Sequence, residues 1–360
     1  MAQIDAFFKL MNEQGASDLH MVAGQQPLLR IRGDMERVKY NVLANDNLKA
    51  MVYEIIAEDK IKIFEETGDI DFGYEIPGLA RYRGNIFQQK YGIGAVFREI
   101  PSKIMTCQDL NLPKVISKLA MLPKGMVLVT GPTGSGKSTT LAAIIDEANK
   151  LRKDHIITVE DPIEFVHESQ NCIINHREVG THTKSFAAAL RGALREDPDI
   201  IMVGELRDLE TISLAMEAAM TGHLVFGTLH TLNASKTVDR IIEIFPATQQ
   251  SQVRSTLADS LRAVISQTLF KRIDIKSRCP ALEILICTPA VRNLIREGKT
   301  YQLPSVMQTG KKYGMQTMDD AIMEMLRKRW ISAEEAYTNS IDKSKFLSFL
   351  RRPPADFTEV

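Results

Sequence analysis

Apolar positions along the chain fall into two textures. Up to about residue 100 they come in short bursts broken by Gly, Pro and charged residues. Ile4, Phe7, Phe8 and Met11 recur at helical spacing over residues 3–14, whereas the segments across 18–100 are short and strand-like. Residues 81–89 and 93–100 flank Lys90, Tyr91 and Gly92 and predict a hairpin. An α+β domain over residues 1–100 follows from this pattern. Pro101, Pro113 and Pro123 then punctuate a stretch of turn chemistry around one short helical pattern, which predicts a linker over 101–124.

From Gly125 the apolar runs become continuous and rich in β-branched residues: MVLVT, HIITVE, DIIMVG and HLVFGTL. Strands apolar on both faces predict a buried parallel sheet covered by helices on both sides. Leu141, Ile144, Ile145, Ala148 and Leu151 mark one such helix, and Leu209, Ile212, Met216 and Ala219 another. A long helical pattern over about 248–270 and shorter ones to Leu350 predict a helical C-terminal appendage, so a second domain spans 125–360. The fold class expected is α/β.

Composition narrows the function. The chain has 360 residues, 44% hydrophobic and 25% charged, with 45 Lys and Arg balancing 45 Asp and Glu. Such a composition is that of a soluble globular chain of about two domains, and excludes disordered, collagenous and membrane-spanning classes. A net charge of zero lacks the electrostatic footprint of a non-specific nucleic-acid binder, so no nucleic-acid partner is expected. Cys107, Cys172, Cys279 and Cys287 are scattered without a metal-ligand or redox spacing, and read as buried free thiols of a reducing compartment. Asp5 and Lys9 interrupt the apolar residues of the N-terminus, so no signal-peptide core is read there and a cytoplasmic location is expected.

The chemistry is concentrated behind the first apolar run. Gly131, Pro132, Thr133, Gly134, Ser135, Gly136, Lys137 and Ser138 satisfy GxxxxGK[ST] in full, after a strand and before a helix, with Thr139 next. Glycines let backbone N–H groups curl round phosphate oxygens, Lys137 would reach the β- and γ-phosphates, and the Ser138 hydroxyl would serve Mg²⁺. ATP and Mg²⁺ are therefore the ligands expected. In an open parallel sheet the carboxyl ends of the strands converge on the ligand. HIITVE ends at Glu160 and leads into Glu164, either of which could polarise an attacking water; DIIMVG ends at Glu205, a Walker-B carboxylate that would hold Mg²⁺; HLVFGTL ends at His230, a candidate γ-phosphate sensor. Taken singly, each carboxylate could equally be a helix-terminal charge or a salt-bridge partner.

Arg81 and Arg83 project from one face of a strand, and the hairpin register would set Arg98 opposite Arg83. Opposed like charges call for an anion nearby, and a γ-phosphate bound in an adjacent protomer would supply one, making these arginines candidate transition-state fingers. Solvation, or pairing with Glu75 and Glu99, is the alternative.

SDLH at 17–20, RYRGNIF at 81–87, GPTGSGKST, VEDPIE, MVGELRD, TGHLVFGTLHT and VRNLIREGK at 291–299 resemble the type IV pilus retraction ATPases of the secretion ATPase superfamily, over nearly the whole chain. The resemblance implies a PAS-like N-terminal domain, a RecA-like P-loop ATPase domain and a homohexameric ring with ATP between protomers. It implies Glu164 as general base, Glu205 as an atypical Walker-B acid, His230 in a His box, and Arg81 and Arg83 completing the site. Arg195 and Arg240 follow the same inter-protomer logic. Docking on an inner-membrane platform protein is also implied, with the chain peripheral at the cytoplasmic face; Arg292 and Arg296 on the VRNLIREGK helix are the candidate contacts. Assembly ATPases of pili and type II secretion add a further N-terminal domain and a four-cysteine zinc motif that this sequence lacks, so retraction is expected over extension. An accessory retraction or assembly ATPase and a non-hydrolysing nucleotide-switch scaffold are the alternatives.

Overall fold

A computed structural model describes residues 2–31, 33–100, 104–275 and 277–350. Pro101 and the rest of 101–103 in the expected linker, and the end of the second domain at 351–360, lie outside these residues. The chain divides into two compact units, Met1–Lys103 with Pro162–Val166, and Ile104–Asp161 with His167–Val360.

In the first unit α1 (Asp5–Glu13) is followed by β1 (Asp18–Val22), β2 (Leu28–Ile31), β3 (Asp34–Arg37), α2 (Asn45–Tyr53), α3 (Glu58–Thr67), β4 (Asp69–Ile76), β5 (Ala80–Gln89) and β6 (Gly92–Ile100). The described strands form one antiparallel sheet in the order β3-β2-β1-β6-β5-β4. The apolar stripe of α1 buries Phe7, Phe8 and Met11. Phe8 stacks on Tyr82 with ring centroids 4.2 Å apart and meets Phe97 edge-on at 5.0 Å, so aromatic packing fixes this helix on the sheet. The β5–β6 hairpin turns at Lys90 and Tyr91 and sets Arg83 opposite Arg98.

The second unit opens with α4 (Lys114–Ala120), inside the expected linker. Ile116, Leu119 and Ala120 on one side of this helix, with Cys107 before it, are buried in the same core as Val127 and Ile144. The short helical pattern within the expected linker thus carries an apolar stripe that joins this unit's core.

After α4 come β7 (Gly125–Thr130), α5 (Lys137–Leu151), β8 (His155–Glu160), β9 (Ile173–Glu178), α6 (Phe186–Ala193), β10 (Ile200–Val203), α7 (Leu209–Thr221), β11 (Leu224–Leu229), α8 (Ala234–Glu243) and α9 (Gln250–Ser260). The chain then forms β12 (Leu261–Lys271) and β13 (Arg278–Ile286), followed by α10 (Pro289–Arg296), α11 (Leu303–Thr309), α12 (Met318–Arg327) and α13 (Ala333–Asn339). The strands pair in the order β13-β12-β7-β11-β10-β8-β9, parallel except for the β12–β13 hairpin. Every residue of β7, β10 and β11 is buried, as the continuous apolar runs require.

One expectation fails in the second unit. The helical pattern over 248–270 stops at Ser260, and Leu261 turns to extended backbone (φ −68°, ψ 133°) to begin β12 beside β7. The central parallel sheet of an α/β chain, with helices gathered after residue 289, is otherwise as expected. Cys107, Cys172, Cys279 and Cys287 are buried free thiols.

Candidate functional site

The carboxyl ends of β7, β11, β10 and β8 lie side by side, and the site is built there. Beyond Thr130 the chain leaves β7 through Gly131 (φ 142°), Gly134 (φ 77°) and Gly136 (φ 85°), then enters α5 at Lys137. These left-handed glycines carry the loop round so that it closes on the helix N-terminus, where the first N–H groups of the helix and its dipole favour an anion. Lys137 is buried, and its ammonium donates to the carbonyls of Gly131 at 2.9 Å and Pro132 at 3.1 Å. The cation is thus held over the loop's mouth by its own backbone.

A line of charge runs from this lysine. Lys137 Nζ is 3.5 Å from His230 Nδ1, His230 Nε2 is 3.1 Å from Glu205 Oε1, and Arg207 donates to Glu205 Oε2 at 2.7 Å. Burial pushes the Glu205 carboxyl up, but the Arg207 guanidinium, with His230, outweighs it and holds the group below its ordinary value. Glu205 therefore stands as a carboxylate at neutral pH. Glu160, buried at the end of β8, packs against the residue before Glu205: a Cβ on Gly204 would stand 3.3 Å from the Glu160 Cα. Behind it His176 Nδ1 lies 4.0 Å from Glu160 Oε1 and 2.8 Å from Thr158 Oγ1, while the His167 N–H donates to His176 Nε2 at 3.0 Å. Burial, reinforced by His176, pushes the His167 imidazole down to about 4, so it is neutral at pH 7.

The hydroxyl of Ser138, half-buried in the first turn of α5, and the ionised Glu205 are hard oxygen donors of the kind Mg²⁺ prefers. Among the described residues no cluster of three or more His, Cys, Asp or Glu forms a metal cage. That donor set fits an ion that takes most of its ligands from phosphate and water.

Other candidates lie elsewhere in the chain. Pro162–Val166 belongs to the first unit; within it Ile163 and Phe165 are buried and Glu164 is exposed. Arg81 and Arg83 are on β5 of that unit, where Arg81 is opposite Glu75 and Arg83 is 3.8 Å from Asp71. Arg98, opposite Arg83, donates to Asp18 at 2.8 Å. The repulsion foreseen between Arg83 and Arg98 is thus relieved within the chain, by Asp71 and Asp18. Arg195 is exposed just beyond α6, and Arg240 is exposed in the last turn of α8. On α10, Val291 and Ile295 are fully buried, Arg292 donates to the Cys287 carbonyl at 3.1 Å, and Arg296 pairs with Asp259.

Three residues around the site escaped the sequence reading. Arg207 stands two positions beyond Glu205 inside a segment already singled out, and that spacing was its signal. His176 sits on β9, a strand with weak apolar character. Gln267 lies on β12, within a stretch read as helix.

The profile of the type II/IV secretion system protein family matches residues 2–325. The chain is 54% identical over 324 residues to a Pseudomonas aeruginosa protein named type IV pilus retractation ATPase PilT, covering 90% of this chain and 94% of that one. It is 51% identical over 323 residues to a twitching motility protein of Neisseria gonorrhoeae, covering 90% and 86% of the two chains. Among solved structures, the pilus retraction motor PilT with bound ADP matches with a TM-score of 0.89 at 44% identity, over 96% of this chain and 98% of that one.

Proposed function

Because this chain belongs to the type II/IV secretion system protein family, we propose that it is an ATP-hydrolysing motor that powers retraction of a type IV pilus. The observation that carries the reading is the line Lys137–His230–Glu205–Arg207, drawn up at the mouth of a complete phosphate loop.

The chemistry follows from these residues. Backbone N–H groups across 131–139 cradle the β-phosphate, and the N-terminus of α5 adds its dipole. An arriving γ-phosphate draws Lys137 off the carbonyls of Gly131 and Pro132, and the ammonium then neutralises charge on the β- and γ-oxygens. Ser138 and Glu205 would hold Mg²⁺, which offsets phosphate charge when bound. His230 touches both Lys137 and Glu205, so its position senses whether the lysine has moved. Water is polarised by a carboxylate, Glu164 or Glu160, and charge developing on the transferred group is met by Arg81 and Arg83 of a neighbouring protomer.

Six copies form the working ring, with Arg195 and Arg240 at its inter-protomer faces. Among the described residues no helix is long and apolar enough to cross a membrane. The motor is peripheral, held at the cytoplasmic face of the inner membrane by a platform protein that Arg292 and Arg296 contact.

ATP turnover by the purified protein tests the chemistry. Lys137→Ala is expected to lower kcat by about a hundredfold or more, the scale of losing a preorganised charge on the transferring phosphoryl group. Glu164→Gln and Glu160→Gln, compared in the same assay, identify the base by the larger loss in kcat at unchanged nucleotide affinity. Wild-type turnover no higher than that of Lys137→Ala would sink the reading.

A further inference from the structure

We propose that Gln267 is a positioning residue of the phosphate loop: its amide holds the loop in the shape that receives phosphate before any nucleotide arrives. The proposal rests on the reading of residues 131–138 as a phosphate cradle and assigns that cradle a support outside its own motif.

β12 runs parallel to β7 with Ser266 opposite Thr130, which sets Gln267 beside the point where the loop departs. The residue is 2% exposed, and both ends of its side-chain amide are used. Nε2 donates to the Ser135 carbonyl at 2.6 Å, and Oε1 accepts from the Thr140 hydroxyl at 2.7 Å. A carbonyl can only accept, so the NH₂ group must face Ser135; the orientation of the amide is fixed by its partners. One side chain thus ties the loop just before Gly136 to the first turn of α5.

The consequence for phosphate comes from peptide geometry. In a planar trans peptide C=O and N–H point in opposite directions. With the Ser135 carbonyl turned toward Gln267, the Gly136 N–H of the same peptide is turned away from β12, leaving it available to a ligand. Without the amide that peptide could rotate, and the N–H would have to be reoriented at the expense of binding.

The glycines of the loop bear the imprint of the same residue. A Cβ on Gly131 would stand 2.2 Å from the main-chain carbonyl oxygen of Gln267, and one on Gly136 would stand 2.9 Å from the side-chain Nε2 of Gln267. The first glycine of the motif is required here by contact with the β12 main chain and the last by contact with the amide, each as well as by its positive φ.

The test compares ADP affinity, steady-state kinetics and thermal stability of the full chain. Gln267→Leu keeps the volume and removes both hydrogen bonds; Thr140→Val removes one and covers the case in which Gln267→Leu does not fold. Loss of preorganisation is expected to raise the Kd for ADP and the KM for ATP about tenfold in Gln267→Leu and about threefold in Thr140→Val, with kcat at saturation within about twofold of wild type. Ser266→Ala is the control for general softening, since it deletes the neighbouring buried bond from the Thr130 hydroxyl, 2.9 Å long, without touching the amide. It should lower stability and leave Kd unchanged. An unchanged Kd in folded Gln267→Leu, or an equal rise in Ser266→Ala, would overturn the proposal. Wild type, measured alongside, separates the two claims: if the unaltered chain shows no measurable ADP binding, the cradle reading itself fails.

Discussion

At the scale of single residues, electrostatics decides what Glu205 can do. A carboxylate buried alone would rise in pKa and become a poor partner for a cation. Arg207 reverses that, and His230 assists. The sign for stability follows from the depressed value: the pairing contributes above the carboxyl's ordinary pKa and is lost as pH falls through the lower folded one. Arg207→Ala removes the main opposing charge and leaves burial in control. We expect the acid limb of the pH–kcat profile to move to higher pH in this variant, with kcat recovering toward the wild-type plateau as pH rises. An acid limb that stays in place would show that Glu205 ionisation does not limit turnover. Arg83 illustrates the opposite case, an arginine 47% exposed beside a half-exposed Asp71, in a pair that solvent screens. Nothing in that pair competes strongly with a phosphate.

At the scale of elements, the question is which stretches could be read from sequence. β7, β10 and β11 were legible because burial on both faces writes a continuous apolar run, and the motif placed its own strand and helix on either side. Hairpin β5–β6 was legible in its register, down to Arg83 opposite Arg98. β12 was not: Val253, Leu257, Leu261, Val264 and Ile265 recur at three- and four-residue spacing, so the helical period runs straight through the boundary. The strand forms because β7 offers an unpaired edge there, a tertiary demand that local pattern does not record. Gln267 was lost with it. His176 was missed for a related reason, since β9 is at the sheet edge and mostly polar. A cap went unread as well: Asp208 accepts from the Thr211 N–H at 2.8 Å and the Thr211 hydroxyl at 2.7 Å, and so starts α7. Asp208→Ala should cost about 1 kcal/mol in urea unfolding, the usual value of such a cap. A loss within error of zero would mean that packing of α7 against the sheet, and not its cap, sets the helix start.

At the scale of the whole molecule, the chain divides its labour between two units. The second carries the phosphate loop, the Lys137–Arg207 line and Gln267; the first carries Arg81, Arg83 and the segment with Glu164. Water activation by Glu164 and charge relief by Arg81 and Arg83 would both make turnover depend on how the units meet within a ring. In the proposed ring, such a dependence would couple hydrolysis to movement. The 45 basic and 45 acidic residues leave no net charge to draw in a polyanion. Direction is the property that hydrolysis alone does not reveal, since extension and retraction consume ATP alike. The most direct test is therefore made in cells of the parent organism, counting surface pili and scoring surface motility after deletion of the gene, with complementation by wild type or Glu205→Gln. The account predicts excess surface pili and lost motility, restored by wild type and not by Glu205→Gln; bald cells would identify an extension motor and contradict it.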